Sequence, residues 1–320
     1  MNVFLVHAHP EPQSFSSSMA RTAAETLAEM GHSVTMSDLY AMDFDPVSGR
    51  KNFTTVKDPE FFKQQQEELH ATEHNGFAPE IESEIRKLEA ADLLIFSFPL
   101  WWFGMPGVMK GWVDRVFPMG RVYGGEKFYE NGLGSKRRAR AMVLMTTGGG
   151  PAGYSGKGVH TPLSSILAPI HHGIFWFNGF LPLDPFIAWS PARITDAERS
   201  AYLERLKKRL KDIFAEIPHQ PPPLSDFPQF GPDTKKRFQV VVNRKQMPDE
   251  SFLAKVPQEK ARLAELRREG FVLEDAFSPS DAEEWRGFLR VRAASKEEAH
   301  EMLKTLPLAG HLDFEIYELA

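Results

Sequence analysis

The stretch ADLLIFSFPLWWFGMP, residues 91–106, joins a strand, an aromatic loop and the start of a helix. Residues 91–97 are a short apolar run, which is typical of a strand covered on both faces. Pro106 is favoured at a helix start, and helical spacing resumes over residues 107–117. Because open α/β sheets bind ligands at the carboxyl ends of their strands, the rings of residues 98–106 predict a platform for a planar ligand. Burial of the same rings in the core is the alternative interpretation.

Strand and helix patterns alternate on both sides of this stretch as far as residue 216, which is typical of a parallel sheet covered by helices. The sequence predicts an α/β domain with a doubly wound, five-stranded parallel sheet, its strands at residues 2–6, 33–38, 92–98, 139–145 and 181–189. The predicted helices are residues 16–30, 80–90, 108–115, 162–172 and 196–216. Residues 40–78 have weak periodicity, and a loop of this length in a compact domain is usually functional or disordered. The first alternative predicts a contribution to a functional site.

The composition narrows the class of protein. The chain has 320 residues, 42% of them hydrophobic, which suits two domains with separate cores. The formal net charge is -5 and no basic stripe occurs, so we expect no nucleic-acid partner. The absence of cysteine excludes disulfides, thiolate nucleophiles and cysteine-ligated metal centres. Residues 1–7 have a strand pattern and no apolar run approaches the roughly 18 residues of a membrane helix, so we expect a cytoplasmic protein without a membrane partner.

A proline-rich segment at residues 217–236 predicts an extended linker between a domain at 1–216 and a second domain at 237–320. The second domain has strand patterns at residues 237–242, 288–291 and 313–317 and helix patterns at 257–269 and 295–303. Ser295 and Glu298 fit a capping box, with an N-cap hydroxyl and a carboxylate three residues later. These patterns predict a small α+β domain.

Two other strand ends of the first domain carry ligand-binding patterns. A hydroxyl-rich loop at residues 7–18 enters a helix, where free amides and hydroxyls bind phosphate; ordinary N-capping is the alternative. Neither a Gly-x-Gly-x-x-Gly sequence nor a Walker loop occurs, which argues against a Rossmann dinucleotide site and a nucleoside triphosphatase. The glycine run 148–150 follows the fourth strand and exposes backbone amides to a ligand, unless it is only a flexible turn.

Tyr154 and His160 follow the glycine run on the same connection. As a pair at a strand end they could donate hydrogen bonds to a carbonyl oxygen that gains negative charge. Each could equally be an ordinary surface or core residue.

Several short motifs lie together in the first domain: Ser37-Asp38-Leu39-Tyr40-Ala41-Met42, Lys87-Leu88-Glu89-Ala90-Ala91-Asp92, Phe98-Pro99-Leu100 with Trp102-Phe103-Gly104, Lys110-Gly111-Trp112, and Thr146-Thr147-Gly148-Gly149 with Tyr154 and His160. With these motifs, residues 1–216 resemble the NAD(P)H quinone oxidoreductases of the DT-diaphorase type. That resemblance implies a flavodoxin-like fold, a homodimer, and two-electron reduction of a quinone or related aromatic acceptor by NADH or NADPH. FAD is the implied flavin, with FMN as a second candidate, and nicotinamide and quinone would use one site in turn.

The resemblance also implies roles for individual residues, and none of them is a metal ligand. The implied flavin-binding residues are His9, Phe15 and Ser16 at the diphosphate, Leu100, Trp101, Trp102 and Phe103 at the isoalloxazine, and Thr146, Thr147, Gly148 and Gly149 at the ring through backbone groups. Tyr154 and His160 match the pair that assists hydride transfer. The implied substrate-facing residues are Trp102, Phe103, Gly149 and, across the dimer interface, Tyr123.

Two departures from the family affect the site. Trp101 stands where mammalian members have Gln, and Gly125 stands where they have a second pocket tyrosine. A flavodoxin-fold regulatory or electron-carrier protein is the alternative function. The pair of Tyr154 and His160 favours catalysis, because a carrier needs no proton donors over the ring.

The second domain carries a weaker set of motifs: Phe238-Gln239-Val240, Arg267-Arg268-Glu269-Gly270, Ser295-Lys296-Glu297-Glu298-Ala299 and Leu306-Pro307-Leu308. It is similar to muconolactone isomerase-like domains, which implies a ferredoxin-like α+β unit that contributes to dimerisation or covers a pocket. A bifunctional reductase and isomerase-like enzyme of aromatic catabolism is a further alternative. The charged residues of this domain are interpreted as a solvated helix face: Glu265, Glu269, Asp275, Glu283 and His300.

Overall fold

The structure is a computed structural model that describes residues 1–125, 127–220, 226, 227, 236–279, 282 and 284–319. The chain divides into two compact units, Met1–Asp226 and Phe227–Ala320. Most of the predicted proline-rich linker, and also Glu283, lies outside the described residues.

A parallel sheet forms the centre of the first unit. Its strands are β1 (Asn2–His7), β2 (Ser33–Asp38), β3 (Leu93–Pro99), β4 (Arg140–Thr147), β5 (Leu181–Pro182) and β6 (Phe186–Trp189). They follow the order β2-β1-β3-β4-β5, and β6 also pairs with β4. Every residue of β3 is buried, as its continuous apolar run predicts. This order confirms the predicted flavodoxin-like sheet.

Helices cover both faces of this sheet. They are α1 (Phe15–Glu29), α2 (Gln64–His74), α3 (Pro79–Ala90), α4 (Gly107–Val116), α5 (Leu163–Ile170) and α6 (Asp196–Lys211). One core contains Ile85 of α3, Trp112 of α4 and Ile170 of α5, and the other contains Leu27 of α1 and Leu206 of α6. The sheet is therefore doubly wound, with α1 and α6 on one face.

Three predicted elements of the first unit differ from the structure. The helix predicted at 196–216 ends at Lys211, with Asp212 as its C-cap. The predicted fifth strand, 181–189, is two short strands, because Pro185 has no backbone N–H for the ladder and Asp184 O instead accepts a hydrogen bond from Arg209 Nη2 at 2.6 Å. The predicted helix 162–172 ends as an α-helix at Ile170 and continues as a π-helical turn, His171–Phe175.

The long connection at residues 40–78 contains a helix, α2, that the sequence pattern does not predict. Two buried carboxylates hold it in place. Glu67 accepts hydrogen bonds from the backbone amides of Lys57 at 2.7 Å and Asp58 at 3.0 Å. Glu68 accepts one from Met119 N at 2.8 Å, and burial raises the pKa of this carboxyl. The connection is therefore folded against the domain by charge-assisted hydrogen bonds.

Among its described residues, the second unit has a four-stranded antiparallel sheet and two α-helices. Its elements are β7 (Lys236–Arg244), α7 (Glu250–Arg268), β8 (Val272–Phe277), β9 (Arg286–Ala293), α8 (Lys296–Lys304) and β10 (Leu312–Glu318), and the strands follow the order β10-β7-β9-β8. A separate core joins the sheet to both helices. In the part of the chain that the structure describes, no helix has the length and apolarity to span a bilayer.

Three details of the second unit correct the sequence interpretation. The helix predicted from residue 257 begins at Glu250, because Asp249 caps it by accepting from Phe252 N at 2.8 Å. Asp275 lies on β8, an unpredicted strand, and pairs with Arg267, so it is not on a helix face. Ser295 caps α8 as predicted, but the Glu298 carboxylate accepts from Ala294 N instead of from the N-cap amide.

Candidate active site

Three loops meet at one edge of the parallel sheet, where β1, β3 and β4 end. The strands are neighbours, since β3 pairs with both β1 and β4. Ser16 Oγ lies 2.7 Å from Thr146 Oγ1, which joins the first loop to the third. Leu100 N donates to Thr146 O at 2.8 Å, which joins the second loop to the third. The structure thus brings the predicted flavin-binding segments together.

The first loop leads from β1 into α1. Ser14 is the N-cap of α1, and its side chain accepts a hydrogen bond from Ser17 N at 3.1 Å. His9 Nδ1 lies 3.0 Å from Glu11 N and 3.1 Å from Glu11 O, so the Glu11 backbone holds this side of the ring and Nε2 is left for a ligand. Phe15 packs edge-on against Tyr202, with ring centroids 6.3 Å apart. The N-capping interpretation therefore accounts for Ser14, whereas the side chain of Ser16 is directed towards Thr146.

A cavity of about 680 Å³ adjoins this loop. It lies between the beginnings of α1 and α6, and its lining residues are His9, Gln13, Ser14, Phe15, Ser16, Ser18, Thr146, Pro191, Ala192, Asp196, Arg199, Ser200 and Leu203. Arg199 is oriented by its Nη1, which donates to Ile194 O at 2.6 Å. No ligand-binding pattern in the sequence marks this wall, and its one local signal is the capping box of Thr195 and Glu198 at the start of α6.

The second loop is a tight turn made from aromatic residues. Trp101 and Gly104 exchange backbone hydrogen bonds of 3.1 and 3.0 Å. The two residues between them, Trp102 and Phe103, have φ angles of 52° and 59°, which makes this a type I′ turn that Asn-Gly usually forms. Trp102 is 98% exposed, so the core-packing alternative is wrong for the tip of this loop. The strained backbone presents two large rings to solvent.

The third loop follows β4 and is held by two side chains. Thr147 Oγ1 donates to Gly149 O at 2.8 Å, and Ser190 Oγ donates to Gly148 O at 3.3 Å. A Cβ added at Gly148 would meet no atom within 4 Å, whereas one at Gly149 would lie 3.3 Å from Cε2 of Tyr154. Open space therefore adjoins Gly148, and Gly149 lets the tyrosine approach the backbone.

Tyr154 and His160 lie side by side next to this glycine loop. Their ring centroids are 4.8 Å apart, and His160 N donates to Gly153 O at 2.9 Å. The ring of Phe103 is 5.2 Å from His160, and that of Trp189 is 5.5 Å from Tyr154. The pair is thus packed between the aromatic turn and β6, with Tyr154 itself buried.

Tyr123 belongs to a different group of side chains. Its hydroxyl accepts a hydrogen bond from Gln65 Nε2 at 3.2 Å, and its ring lies 6.2 Å from that of Phe177. Burial raises the pKa of this phenol. Within one chain, the described ring contacts therefore place Tyr123 apart from the pair of Tyr154 and His160.

A parallel sheet in this order, with candidate ligand loops after β1, β3 and β4, defines a flavodoxin-like protein. Residues 1–210 match the model of a family described as having the flavodoxin-like fold, and the chain belongs to that family. The chain is 40% identical to NAD(P)H dehydrogenase [quinone] 1 of Cavia porcellus over 215 residues, 67% of this chain and 78% of the relative. It is 39% identical to ribosyldihydronicotinamide dehydrogenase [quinone] of Rattus norvegicus, over 68% of this chain and 93% of the relative.

Solved structures agree with these relatives. NAD(P)H:quinone oxidoreductase from Methanothermobacter marburgensis is 26% identical, with a TM-score of 0.50 and coverage of 69% of this chain and 99% of that chain. A protein from Klebsiella pneumoniae assigned as a quinone reductase is 34% identical, with a TM-score of 0.65 and coverage of 68% and 86%.

Proposed function

We propose that this chain is an oxidoreductase that uses a bound flavin to reduce quinones, or related aromatic acceptors, with NADH or NADPH. The observation that carries the proposal is the meeting of three strand-end loops beside the adjacent rings of Tyr154 and His160. The relatives in Cavia porcellus and Rattus norvegicus, both named as quinone dehydrogenases, support it.

The residues present fit a flavin. The exposed turn at Trp102 and the open space beside Gly148 suit a flat ring that approaches the backbone closely. Hydroxyls at the start of α1 suit a phosphate, since the helix N-terminus attracts anions. When bound, the flavin supplies two-electron hydride chemistry between the nicotinamide and the quinone.

The proposed flavin is FAD, with FMN as the second candidate, and the cavity that extends beyond Ser16 and Thr146 supports this choice. FMN ends at one phosphate, whereas the cavity of about 680 Å³ continues from His9 to Arg199 and Leu203 on α6. In this proposal His9, Phe15 and Ser16 hold the diphosphate side. The segments 100–103 and 146–149 hold the isoalloxazine.

Tyr154 and His160 are the proposed catalytic residues. Their side chains would donate hydrogen bonds to the quinone oxygen as it gains negative charge, and deliver protons to it. Trp102, Phe103 and Gly149 would form the wall against which the acceptor lies. Because Phe103 contacts His160, movement of the aromatic turn would also move the proton donor.

Tyr123 would complete the substrate site from a second copy of the chain. The proposal is a homodimer in the cytoplasm, in which Tyr123 of one copy faces the acceptor bound to the other. Its contacts with Gln65 and Phe177 leave it outside the group formed by Tyr154 and His160 of the same chain, which supports this arrangement.

The second unit is proposed to be a ferredoxin-like domain of the muconolactone isomerase type. Its element order β-α-β-β-α-β, with the strands in the order β10-β7-β9-β8, supports that assignment. Its proposed role is dimerisation or covering of the substrate site.

Identification of the released cofactor, followed by turnover, tests this proposal. Purified protein is denatured, the released flavin is identified by mass spectrometry, and the holoprotein is assayed with NADH and NADPH against a panel of quinones. FAD and turnover are expected. FMN would contradict the cavity argument, and a protein that takes up neither flavin would contradict the enzyme assignment.

A further inference from the structure

His7 is a buried imidazole outside the residues discussed above. It is the last residue of β1 and is 1% exposed. Its Nδ1 lies 3.1 Å from Ser97 Oγ on β3, and its Nε2 lies 3.0 Å from Ser17 Oγ on α1. One side chain therefore connects two central strands to the first turn of the helix whose N-terminus adjoins the candidate flavin site.

The hydrogen-bond directions follow from Ser17. Its hydroxyl donates to Glu11 O at 2.9 Å, and Ser14 Oγ lies 2.9 Å from the same Ser17 hydroxyl oxygen. With its one proton on the Glu11 carbonyl, Ser17 accepts from His7 Nε2–H. His7 Nδ1 then accepts from the Ser97 hydroxyl. This arrangement requires the neutral ring.

The surroundings of His7 favour that neutral form. Burial lowers the pKa of His7 below its usual value, and His9 and Arg21 add to this effect. Asp38 and a hydrogen bond with the Ser97 backbone act in the opposite direction, but burial is the largest effect. The ring is thus neutral at physiological pH, with both nitrogens satisfied.

The same chain of hydrogen bonds continues to His9. Glu11 is held at its carbonyl by Ser17, and its amide donates to His9 Nδ1 at 3.0 Å. We propose that His7 is a positioning residue, which acts through Ser17 and Glu11 to orient the loop and the His9 imidazole for flavin binding. The inference rests on the proposed function, in which this loop holds the diphosphate side of FAD.

Two conservative variants separate positioning from core packing. The carboxamide of His7→Asn lies near the place of Nδ1 and can bond Ser97, whereas that of His7→Gln reaches towards the place of Nε2 and can bond Ser17. Apoprotein is titrated with FAD, the dissociation constant is read from fluorescence, and the Tm of each apoprotein is measured. A loss of one hydrogen bond predicts about tenfold weaker FAD binding for His7→Asn, and a change within about threefold for His7→Gln.

Ser17→Ala leaves the imidazole in place and carries the test if the His7 variants do not fold. It should weaken FAD binding as His7→Asn does, and the double variant should bind no more weakly than either single variant.

The outcomes separate two failures. In the first case the wild-type protein binds FAD, and His7→Asn and His7→Gln either both keep the wild-type affinity or both lose affinity to the same extent. This result would overturn the role of His7 but leave the proposed function intact. An unchanged affinity of Ser17→Ala for FAD would also overturn the role of His7. Wild-type protein that binds no FAD overturns the proposed function and this inference together.

Discussion

Replacement of Trp102 by Asn should stabilise the protein while impairing the site. The left-handed conformation costs a residue with a large side chain roughly 1–2 kcal/mol, and Asn tolerates it better. Trp102 has a φ of 52° and a side chain that is 98% exposed, so its removal sacrifices almost no burial. The expected gain is about 1 kcal/mol in the free energy of unfolding, or about 2–4 °C in the Tm of a domain of this size.

Thermal unfolding of the apoprotein measures this gain, and steady-state quinone reduction measures its cost. Trp102→Phe is the matched control, because it keeps an aromatic side chain in the same backbone conformation and should leave Tm unchanged. Loss of the aromatic wall should raise KM for the quinone about threefold to tenfold in Trp102→Asn, given the usual energy of an aromatic contact.

An unchanged or lower Tm for Trp102→Asn would refute the assignment of strain to this turn. A rise of equal size in Trp102→Phe would also refute it, because the control does not relieve the left-handed backbone. Unchanged quinone kinetics would remove Trp102 from the substrate wall.

Three further perturbations test other parts of the site and fold. His160→Ala should slow quinone reduction roughly 10²-fold with flavin content retained, because the hydrogen bond to the developing negative charge is lost; an unchanged rate contradicts that role. Gly148→Ala should leave the Tm of the apoprotein unchanged, since its Cβ meets no atom within 4 Å, yet weaken FAD binding measured by titration; unaltered affinity would mean that the open space is not the flavin site. Burial lowers the pKa of His171 to about 4, below its usual 6.5, so its contribution to stability is complete above about pH 6.5 and falls by up to about 3 kcal/mol as the pH drops towards 4. Urea unfolding at pH values between 6.5 and 4 should show this loss of stability in the wild type and a smaller loss in His171→Phe. An equal pH dependence of the free energy of unfolding in both proteins would contradict this role of His171.

The central strands of the first unit were predictable because burial on both faces leaves a clear apolar run. β3 is the clearest case, with a fully buried strand where the sequence has only apolar residues and one serine. The meeting of its loop with those after β1 and β4 follows from the parallel order, since neighbouring strands end at one edge.

Helix α2 was not predictable from periodicity. Its buried positions are Glu67, Glu68 and Ala71. Two carboxylates therefore occupy positions where apolar residues would produce the periodic pattern that predicts a helix. These carboxylates are stabilised by backbone amides outside the helix, at Lys57, Asp58 and Met119. These hydrogen-bond partners are brought together only by the fold, so the sequence pattern does not identify them.

The aromatic turn shows the same limit at the site. Residues 98–106 predict a ligand platform, but nothing in Trp102 and Phe103 predicts a type I′ turn, whose usual residues are Asn and Gly. The isolated bridge between Trp101 and Gly104, with its two backbone hydrogen bonds, closes this turn between β3 and α4. The wall at Arg199 was missed because it begins a helix far along the sequence from the first loop.

The most direct test of the account is a pair of anaerobic half-reactions on the holoprotein. The purified protein should be yellow, its visible absorbance should bleach when NADH or NADPH is added, and the absorbance should return when a quinone is added afterwards. Bleaching without recovery by any quinone would support a carrier or regulatory protein. A colourless protein that cannot be reconstituted with FAD or FMN would contradict the proposal that the three strand-end loops form a flavin site.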